Sequence, residues 1–335
     1  MRKTLLTLTA LALIAAGLAS PACAESVRLT YSSFFPPTHI QSKLAEQWCN
    51  EVEMRTNKAV IIDFYPGGTL SPAKQCYDGV VEGISDVGQS ALAYSRGRFP
   101  VMAAVDLPMG YQNGVQATAV ANAVYDKFSP AEFNDVVPMY FHAHGPGLLF
   151  TVEKPVHTMA DLKGLKIRST GNSAKLIEAL GGTPVAQPMP ASYQSLQKGV
   201  VDGSVHPMES NKGWKLGEVV RHCTQSQCVG YTTTFFIVMS KDKWNEISPE
   251  NQKIIAQINR EWSVKHGQAW DASDAEGRKF LASKGGDFIE LDPAEAQRWV
   301  QAAQPVLDGY ANGEGKAVDG RAVVEFIQAE MTKTP

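Results

Sequence analysis

"LKIRSTGNSAKLIEALGGTPVAQP", residues 165–188, decides how the chain is read. "LKIRST" alternates like a short half-buried strand and ends near Arg168. In "NSAKLIEALGG", Asn172 is placed to cap a helix and Gly181-Gly182 to stop it. "TPVAQP" then makes a second strand. A strand–helix–strand unit is the building block of a largely parallel sheet covered by helices. It also poses a problem. The first strand starts in an apolar interior and finishes on a permanent positive charge, with no acid beside Arg168 in the sequence.

The same alternation occurs earlier. "SVRLTYSS" (26–33) reads as a strand, and Thr38 is placed to cap a helix with Ile40, Leu44 and Trp48 on one face. "AVIIDFYP" (59–66) is a second strand, Ser71-Pro72 reads as a helix start, and "SDVGQS" (85–90) is a short buried strand. After "HAHGPGLLFTV" (142–152) the pattern begins again with the opening segment, followed by helix "ASYQSLQKG" (191–199) and strand "VDGSVHP" (201–207). "GVVEG" (79–83) and "GVVDG" (199–203) each close a helix before a short strand, an echo that points to two similar lobes. Beyond Ser248-Pro249-Glu250, Ile255, Ile258, Trp262, Ala269 and Ala272 recur on one helical face as far as Gly285-Gly286. An unbroken helix there is about 50 Å long and can brace both lobes. The expected fold is α/β: a two-lobed binding protein with mostly parallel sheets, a hinge and a long bracing helix. Residues 25–145 plus 232–272 make lobe I, and 146–231 plus 273–335 make lobe II. The hinge is expected near 145 and 232, with a contribution near 272.

Residues 1–24 carry Arg2 and Lys3, an apolar run from Leu5 to Leu18, and Ala22-Cys23-Ala24 as a cleavage site, the pattern of a secretory signal peptide. A lipid anchor on Cys23 fits less well, with Ser20-Pro21-Ala22 before it. Removing Arg2 and Lys3 leaves 29 basic residues against 34 acidic, a net charge of −5, which is no nucleic-acid footprint. Cys49, Cys76, Cys223 and Cys228 remain after cleavage. An even number in an oxidising compartment suggests disulfides, with Cys49–Cys76 and Cys223–Cys228 the pairs closest in sequence. Zinc is the other reading, but these spacings match no common metal pattern.

No P-loop, G-x-S-x-G or H-E-x-x-H occurs. His142 and His144 share a strand face but have no third metal ligand nearby in sequence, so no metal and no cofactor are expected. A secreted two-lobed α/β chain without a catalytic constellation suggests a protein that closes on a solute. In such sheets ligands lie beyond the carboxyl ends of strands. That rule selects Phe34, Phe35, His39, Gly68, Gln89 and Ser90 in the first lobe, and Arg168, Met189 and His206 in the second. Tyr94, Tyr140, Phe141, His144 and Tyr231 are further wall candidates, about half of the aromatic set being core instead. A ligand carboxylate answers the problem of Arg168. A guanidinium offers two parallel N–H groups to two carboxylate oxygens, which lysine cannot reproduce. A salt bridge to a distant acid is the alternative. The competing class is a secreted hydrolase in the same cleft, using Ser90 or Ser169 beside His206.

Taken together, "DLKGLKIRS", "GGTPVAQPMPASYQSLQKGVVDGSVHP", "YPGGTLS" and "VVEGISDVGQS" resemble the solute receptors of tripartite ATP-independent periplasmic (TRAP) transporters over nearly the whole mature chain. The resemblance implies a periplasmic receptor that holds an organic acid between two lobes and delivers it to a membrane permease. It places the family's carboxylate-binding arginine at Arg168. It also marks departures. His206 stands where the family often has a cleft asparagine, Met189 falls near a cleft aromatic, and "HGPG" (144–147) lacks the second arginine of some sialic-acid receptors. The candidate wall is short of acids and rich in apolar surface, so an apolar or aromatic monocarboxylate fits better than a sugar acid, which needs many hydroxyl partners. A small 2-oxo or hydroxy acid or a C4 dicarboxylate is the alternative. The receptor is expected to act as a monomer, and a sensing role beside a membrane kinase differs by partner and not by pocket.

Overall fold

The computed structural model describes residues 26–95, 97–313 and 319–333, so the expected signal peptide over 1–24 lies outside the described residues. The first sheet is built from β1 (Val27–Ser33), α1 (Ile40–Arg55), β2 (Val60–Tyr65), α2 (Cys76–Val81) and β3 (Val87–Ala91), followed by α3 (Gly114–Phe128) and β4 (Val136–Ala143). The chain then crosses to a second sheet through β5 (Gly147–Thr151), β6 (Lys166–Ser169), α4 (Gly171–Ala179), β7 (Thr183–Ala186), α5 (Ser192–Gln197), β8 (Gly203–Pro207), the short α6 (Ser210–Gly213) and β9 (His222–Gln225). It returns through β10 (Thr234–Ser240) and α7 (Lys241–Glu246). The last elements are α8 (Pro249–Ser283), β11 (Asp287–Glu290), α9 (Pro293–Ala311) and α10 (Gly320–Met331).

The two sheets share one topology. The first runs β2-β1-β3-β10-β4, and the second runs β7-β6-β8-β5-β9 with β11 added at its edge. The sequence echo lies at equivalent places, because each copy leads into the strand beside the crossing strand, β3 beside β10 and β8 beside β5. Five of the nine strand pairings are parallel, and all four antiparallel ones involve the crossing strands β10 and β5. These strands are covered on both faces. Along β10, Phe236 and Val238 enter the core under α3, while Ile237 and Met239 enter the core under α1 and α8. Strands buried on both sides need such continuous apolar runs. The two crossings are stitched together where Gly147 N donates to Tyr231 O (2.8 Å) and Thr232 Oγ1 donates to His144 O (2.6 Å).

α8 is unbroken for 35 residues, about 52 Å at 1.5 Å per residue. Ser248 caps it by accepting from Asn251 N, and Pro249 occupies its first turn, where no intrahelical N–H is needed. Its first half grips the first lobe, with Trp48 Nε1 donating to Asn259 Oδ1 (2.9 Å) and Trp262 Nε1 donating to Leu44 O (2.8 Å). Its second half meets the second lobe, with Glu209 N donating to Asp274 Oδ1 (2.7 Å). Gly277 does not break the helix; it admits the Met208 carbonyl, which would lie 2.1 Å from a Cβ at that position. α10 packs on α3 and shares the first lobe's core through Val323 and Ile327, so this part of 273–335 sits on the first lobe.

Local chemistry shifted several expected boundaries. His39, not Thr38, caps α1, its Nδ1 accepting from Gln41 N at 3.2 Å. Ser71-Pro72 begins a turn and not a helix, and α2 starts only at Cys76. Thr170 replaces Asn172 as the cap of α4, in a reciprocal capping box with Ser173, and Asn172 instead reaches across to Ala103 O (2.6 Å) in the first lobe. The expected disulfides are corrected: Cys49, Cys76, Cys223 and Cys228 are all free thiols. A sheet separates each expected pair. Cys49 packs with Trp48 and Val52 beneath α8, whereas Cys76 lies on the opposite side at α2, within reach of Ser32 O (3.8 Å) and Gln89 O (3.5 Å). Cys223 belongs to the core with Phe150, and Cys228 packs on the other face with Leu149 and Val229. Alkylation of the denatured, unreduced chain beginning at Glu25 should therefore label all four thiols, and reductant should leave its thermal unfolding unchanged. A mass short by one disulfide would contradict the arrangement.

Candidate functional site

Arg168 stands one residue before the end of β6, on the sheet face that it shares with Ser204 by strand register. Its residue is 3% exposed. Nε donates to Gln187 O (2.9 Å) and Nη1 to Val205 O (3.3 Å), so two main-chain carbonyls aim the guanidinium without neutralising it. None of the ion pairs among the described residues involves Arg168. The distant salt bridge allowed by the sequence is thus absent among the described residues, and a buried charge lacks its counter-charge.

Arg168 lines a small interlobe cavity whose empty space, counted together with what opens to solvent, is about 350 Å³. Of the fourteen residues expected at a site, Phe34, Phe35, Tyr94, His144, Arg168, Met189, His206 and Tyr231 line it. The other six do not. His39 lies behind Phe35 and holds Glu209 of the opposite lobe, Nε2 to Oε1 at 2.8 Å. Gln89 accepts from Ser33 Oγ (2.8 Å) and meets His142 Nε2 (3.0 Å) in the core below. Ser90 Oγ donates to Ala73 O (2.6 Å), and Gly68 forms a turn whose N–H reaches Ser33 O (2.9 Å). Tyr140 and Phe141 are core residues on opposite faces of the first sheet.

Sequence reasoning missed Trp214, Thr233, Phe235 and Trp270, with Thr170, Pro207 and Ser210. The carboxyl-end rule fails for Thr233 and Phe235 because β10 runs antiparallel and enters the cavity at its amino end. Tyr231, already a candidate, was the available signal two residues away. Trp270 arrives from the middle of α8, where it reads as one more core aromatic. Together they make an aromatic wall: Phe34 stacks with Trp214 (6.0 Å, 15°) and Phe235 with Trp270 (5.4 Å, 20°). Trp270 is fixed from behind by its Nε1 bond to His142 Nδ1 (3.0 Å). Tyr94 closes one side, its hydroxyl accepting from Met189 N across the cleft at 3.0 Å. Burial raises the phenol pKa of Tyr94 and Tyr231 despite the nearby Arg168 cation, so both remain neutral hydrogen-bonding groups. The hydrolase arrangement does not form: Ser90 bonds elsewhere, Ser169 Oγ is directed at Ile167 O (3.4 Å), and the serine beside His206 is Ser204 (3.1 Å).

Residues 31–313 match the family described as bacterial extracellular solute-binding protein, family 7, the DctP family. The chain belongs to this family. Its members are substrate-binding receptors and not enzymes, and they work with TRAP permease subunits. Among solved structures, a marine-metagenome TRAP solute-binding protein specific for aromatic acid ligands, in complex with metahydroxyphenylacetate, is 29% identical, with a TM-score of 0.86 over 92% of this chain and 99% of that one. A Bordetella bronchiseptica TRAP protein with bound (R)- and (S)-mandelate is 30% identical, with a TM-score of 0.86 over 92% of this chain and 100% of that one. The C4-dicarboxylate-binding periplasmic protein of Rhodobacter capsulatus is 25% identical, covering 94% of this chain and 95% of its own. Among the described residues no helix is long and apolar enough to cross a membrane.

The receptor buries several titratable groups around and beneath this cleft. Burial, with the Gly145 carbonyl opposing it and Arg168 adding to it, pushes His144 down to about 4, and burial takes His266 to about 3. His142 and His206 are lowered well below the usual range by burial first, then by neighbouring histidines or Arg168. A lowered histidine contributes stability above the unfolded value of about 6.5 and loses it as pH falls through the folded value. Two acids act oppositely. Burial pushes Asp106 up to about 7, and burial with Glu209 and Asp271 nearby pushes Asp274 up to about 8. Their contribution is present at acid pH and is lost as pH rises through 7 to 8. Chemical denaturation should therefore show stability declining from about pH 6.5, where the histidines are neutral in both states, to about pH 8 and levelling off above it, and Asp274→Asn should flatten that decline while keeping the acceptor for Glu209 N. Parallel profiles for the two proteins would show that Asp274 is ionised throughout.

Proposed function

We propose that the protein is an extracytoplasmic receptor that closes on an aromatic or otherwise apolar monocarboxylate and delivers it to a TRAP permease. The observation that carries this reading is the buried guanidinium of Arg168, unmatched by any described acid, at an aromatic-walled cavity. Two parallel N–H groups suit one carboxylate, and the remaining wall of Phe34, Trp214, Phe235 and Trp270 suits a flat apolar body. No lysine and no second arginine lines the cavity among the described residues. A C4 dicarboxylate, the ligand class of the Rhodobacter capsulatus relative, would leave its second carboxylate against aromatic carbon. The aromatic-acid and mandelate proteins support the monocarboxylate side of this choice.

The mechanism is closure. Lobe I comprises residues 25–145 with 232–272, and lobe II the rest, with the α10 contact added to lobe I. The stitched crossings at 144–147 and 231–232 act as the hinge. Ligand joins Arg168 of one lobe to the aromatic wall of the other and so favours the closed form by its differential affinity. The chain is exported by cleavage after Ala24 and acts as a monomer. Calorimetry of the mature protein should show binding of benzoate, phenylacetate or mandelate and none of succinate. Arg168→Lys should weaken the acid bound by ten-fold or more, about 1.4 kcal/mol or above, because an ammonium offers no fork. Tight succinate binding, or unchanged affinity in the lysine variant, would contradict the reading.

A further inference from the structure

His142 lies on β4 beneath the cavity and is not among the residues that line it. It is fully buried, and it touches two members of the aromatic wall. Its ring stacks on Phe235, its register partner on β10, at 4.9 Å and 20°, and on His266 of α8 at 4.4 Å and 11°. These stacks fix the plane of the imidazole. Its Nδ1 lies 3.0 Å from Trp270 Nε1. An indole N–H only donates, so Nδ1 accepts. Burial, with His266, His39 and His144 adding to it, keeps the ring neutral. A neutral imidazole that accepts at Nδ1 carries its proton on Nε2. That nitrogen lies 3.0 Å from the side-chain amide of Gln89 on β3, so it donates to the amide oxygen. This requires the Gln89 amide turned over, its oxygen toward His142 and its NH2 toward Ser33 Oγ. The two ends of an amide have nearly the same shape, and the donor-only indole decides between them.

The buried hydrogen bonds thus run in one direction, from Trp270 to His142 to Gln89 to Ser33, and each donor has an acceptor. Trp270 is the end of this chain that faces the cavity. Its indole is a large surface in the wall, and it stacks on Phe235, which His142 also supports. An apolar side chain at position 142 would leave the buried indole N–H without an acceptor, which is costly, and the ring would gain by turning away to find one. A turned ring no longer lies parallel to Phe235 and no longer offers the same face to a flat solute. We propose that His142, as its Nε2–H tautomer, is a positioning residue for solute binding: it sets the orientation of the Trp270 indole, and through it the affinity for a flat aromatic acid, without touching the ligand. This rests on the reading of the cavity as a monocarboxylate site and names the residue outside the cavity that tunes its aromatic wall.

The test combines nuclear magnetic resonance of the full mature chain, with its histidines nitrogen-labelled, and calorimetry with benzoate. His142, identified by the signals lost in His142→Asn, should carry its proton on Nε2 and keep it between about pH 5 and 8, where an ordinary histidine titrates. Leucine and asparagine have nearly the same shape, but only the asparagine Oδ1 can stand where Nδ1 accepts from the indole. His142→Leu should therefore weaken benzoate by about ten-fold. His142→Asn should recover most of that loss at similar thermal stability. In a Trp270→Phe background, which has no indole N–H to hold, His142→Leu should change benzoate affinity by no more than about two-fold. An Nδ1–H tautomer overturns the proposal even if the variants misfold. Equal losses in folded leucine and asparagine variants overturn it too, as does a leucine loss that persists without the indole. Failure of benzoate, phenylacetate and mandelate to bind the unaltered protein overturns the monocarboxylate reading, and this positioning role with it.

Discussion

A guanidinium buried without an acid is the constraint around which the rest of this structure is arranged. Charge taken out of water is costly, and the cost is offset only by a counter-charge in good geometry. The protein supplies half of that geometry. Gln187 O and Val205 O hold Arg168 in one orientation, and the register with Ser204 presents it to the cavity face. In the proposed function the missing half comes from the solute, so the interaction that stabilises the site is also the one that recognises the ligand.

The fold makes this possible by joining two similar sheets through two hydrogen-bonded crossings. Each contributes the same order of strands, and each is entered by a crossing strand whose partner crossing is hydrogen-bonded to it. α8 spans both, which limits how the lobes can move: its first half is held by Trp48 and Leu44, its second by Glu209. Contacts cross the cleft through His39 with Glu209, Tyr94 with Met189 and Asn172 with Ala103. Below the cavity, His142 and His266 stack at 4.4 Å beside Trp270, so neutral imidazoles do the packing that aliphatic side chains do elsewhere. That choice makes the floor beneath the cavity polar.

Much of this was legible in the sequence. Alternating, β-rich or short apolar runs between turn signals located β1, β2, β3, β6, β7 and β8, and Ser248-Pro249 located the start of α8, because these are local signals that survive tertiary packing. Arg168 stood out for the same reason: a cation at the end of an apolar strand is anomalous at short range. What failed was non-local. The cap of α1 passed to His39, which is also tied to Glu209 some 170 positions away. The cysteine pairs closest in sequence proved to be divided by sheets, which spacing alone does not reveal. Trp214, just past α6, and Trp270, within α8, reach the cavity from segments far along the chain, and Phe235 reaches it from the amino end of an antiparallel strand, so no rule based on strand carboxyl ends could find them.

The most direct test of the central claim is a crystal structure of the receptor with 3-bromobenzoate, the bromine located by its anomalous signal. The account predicts both carboxylate oxygens about 2.8 Å from the Arg168 guanidinium nitrogens, with the brominated ring against Phe34 and Phe235. A carboxylate bound elsewhere, or an Arg168 side chain turned to an aspartate or glutamate of the protein while the ligand is present, would contradict it.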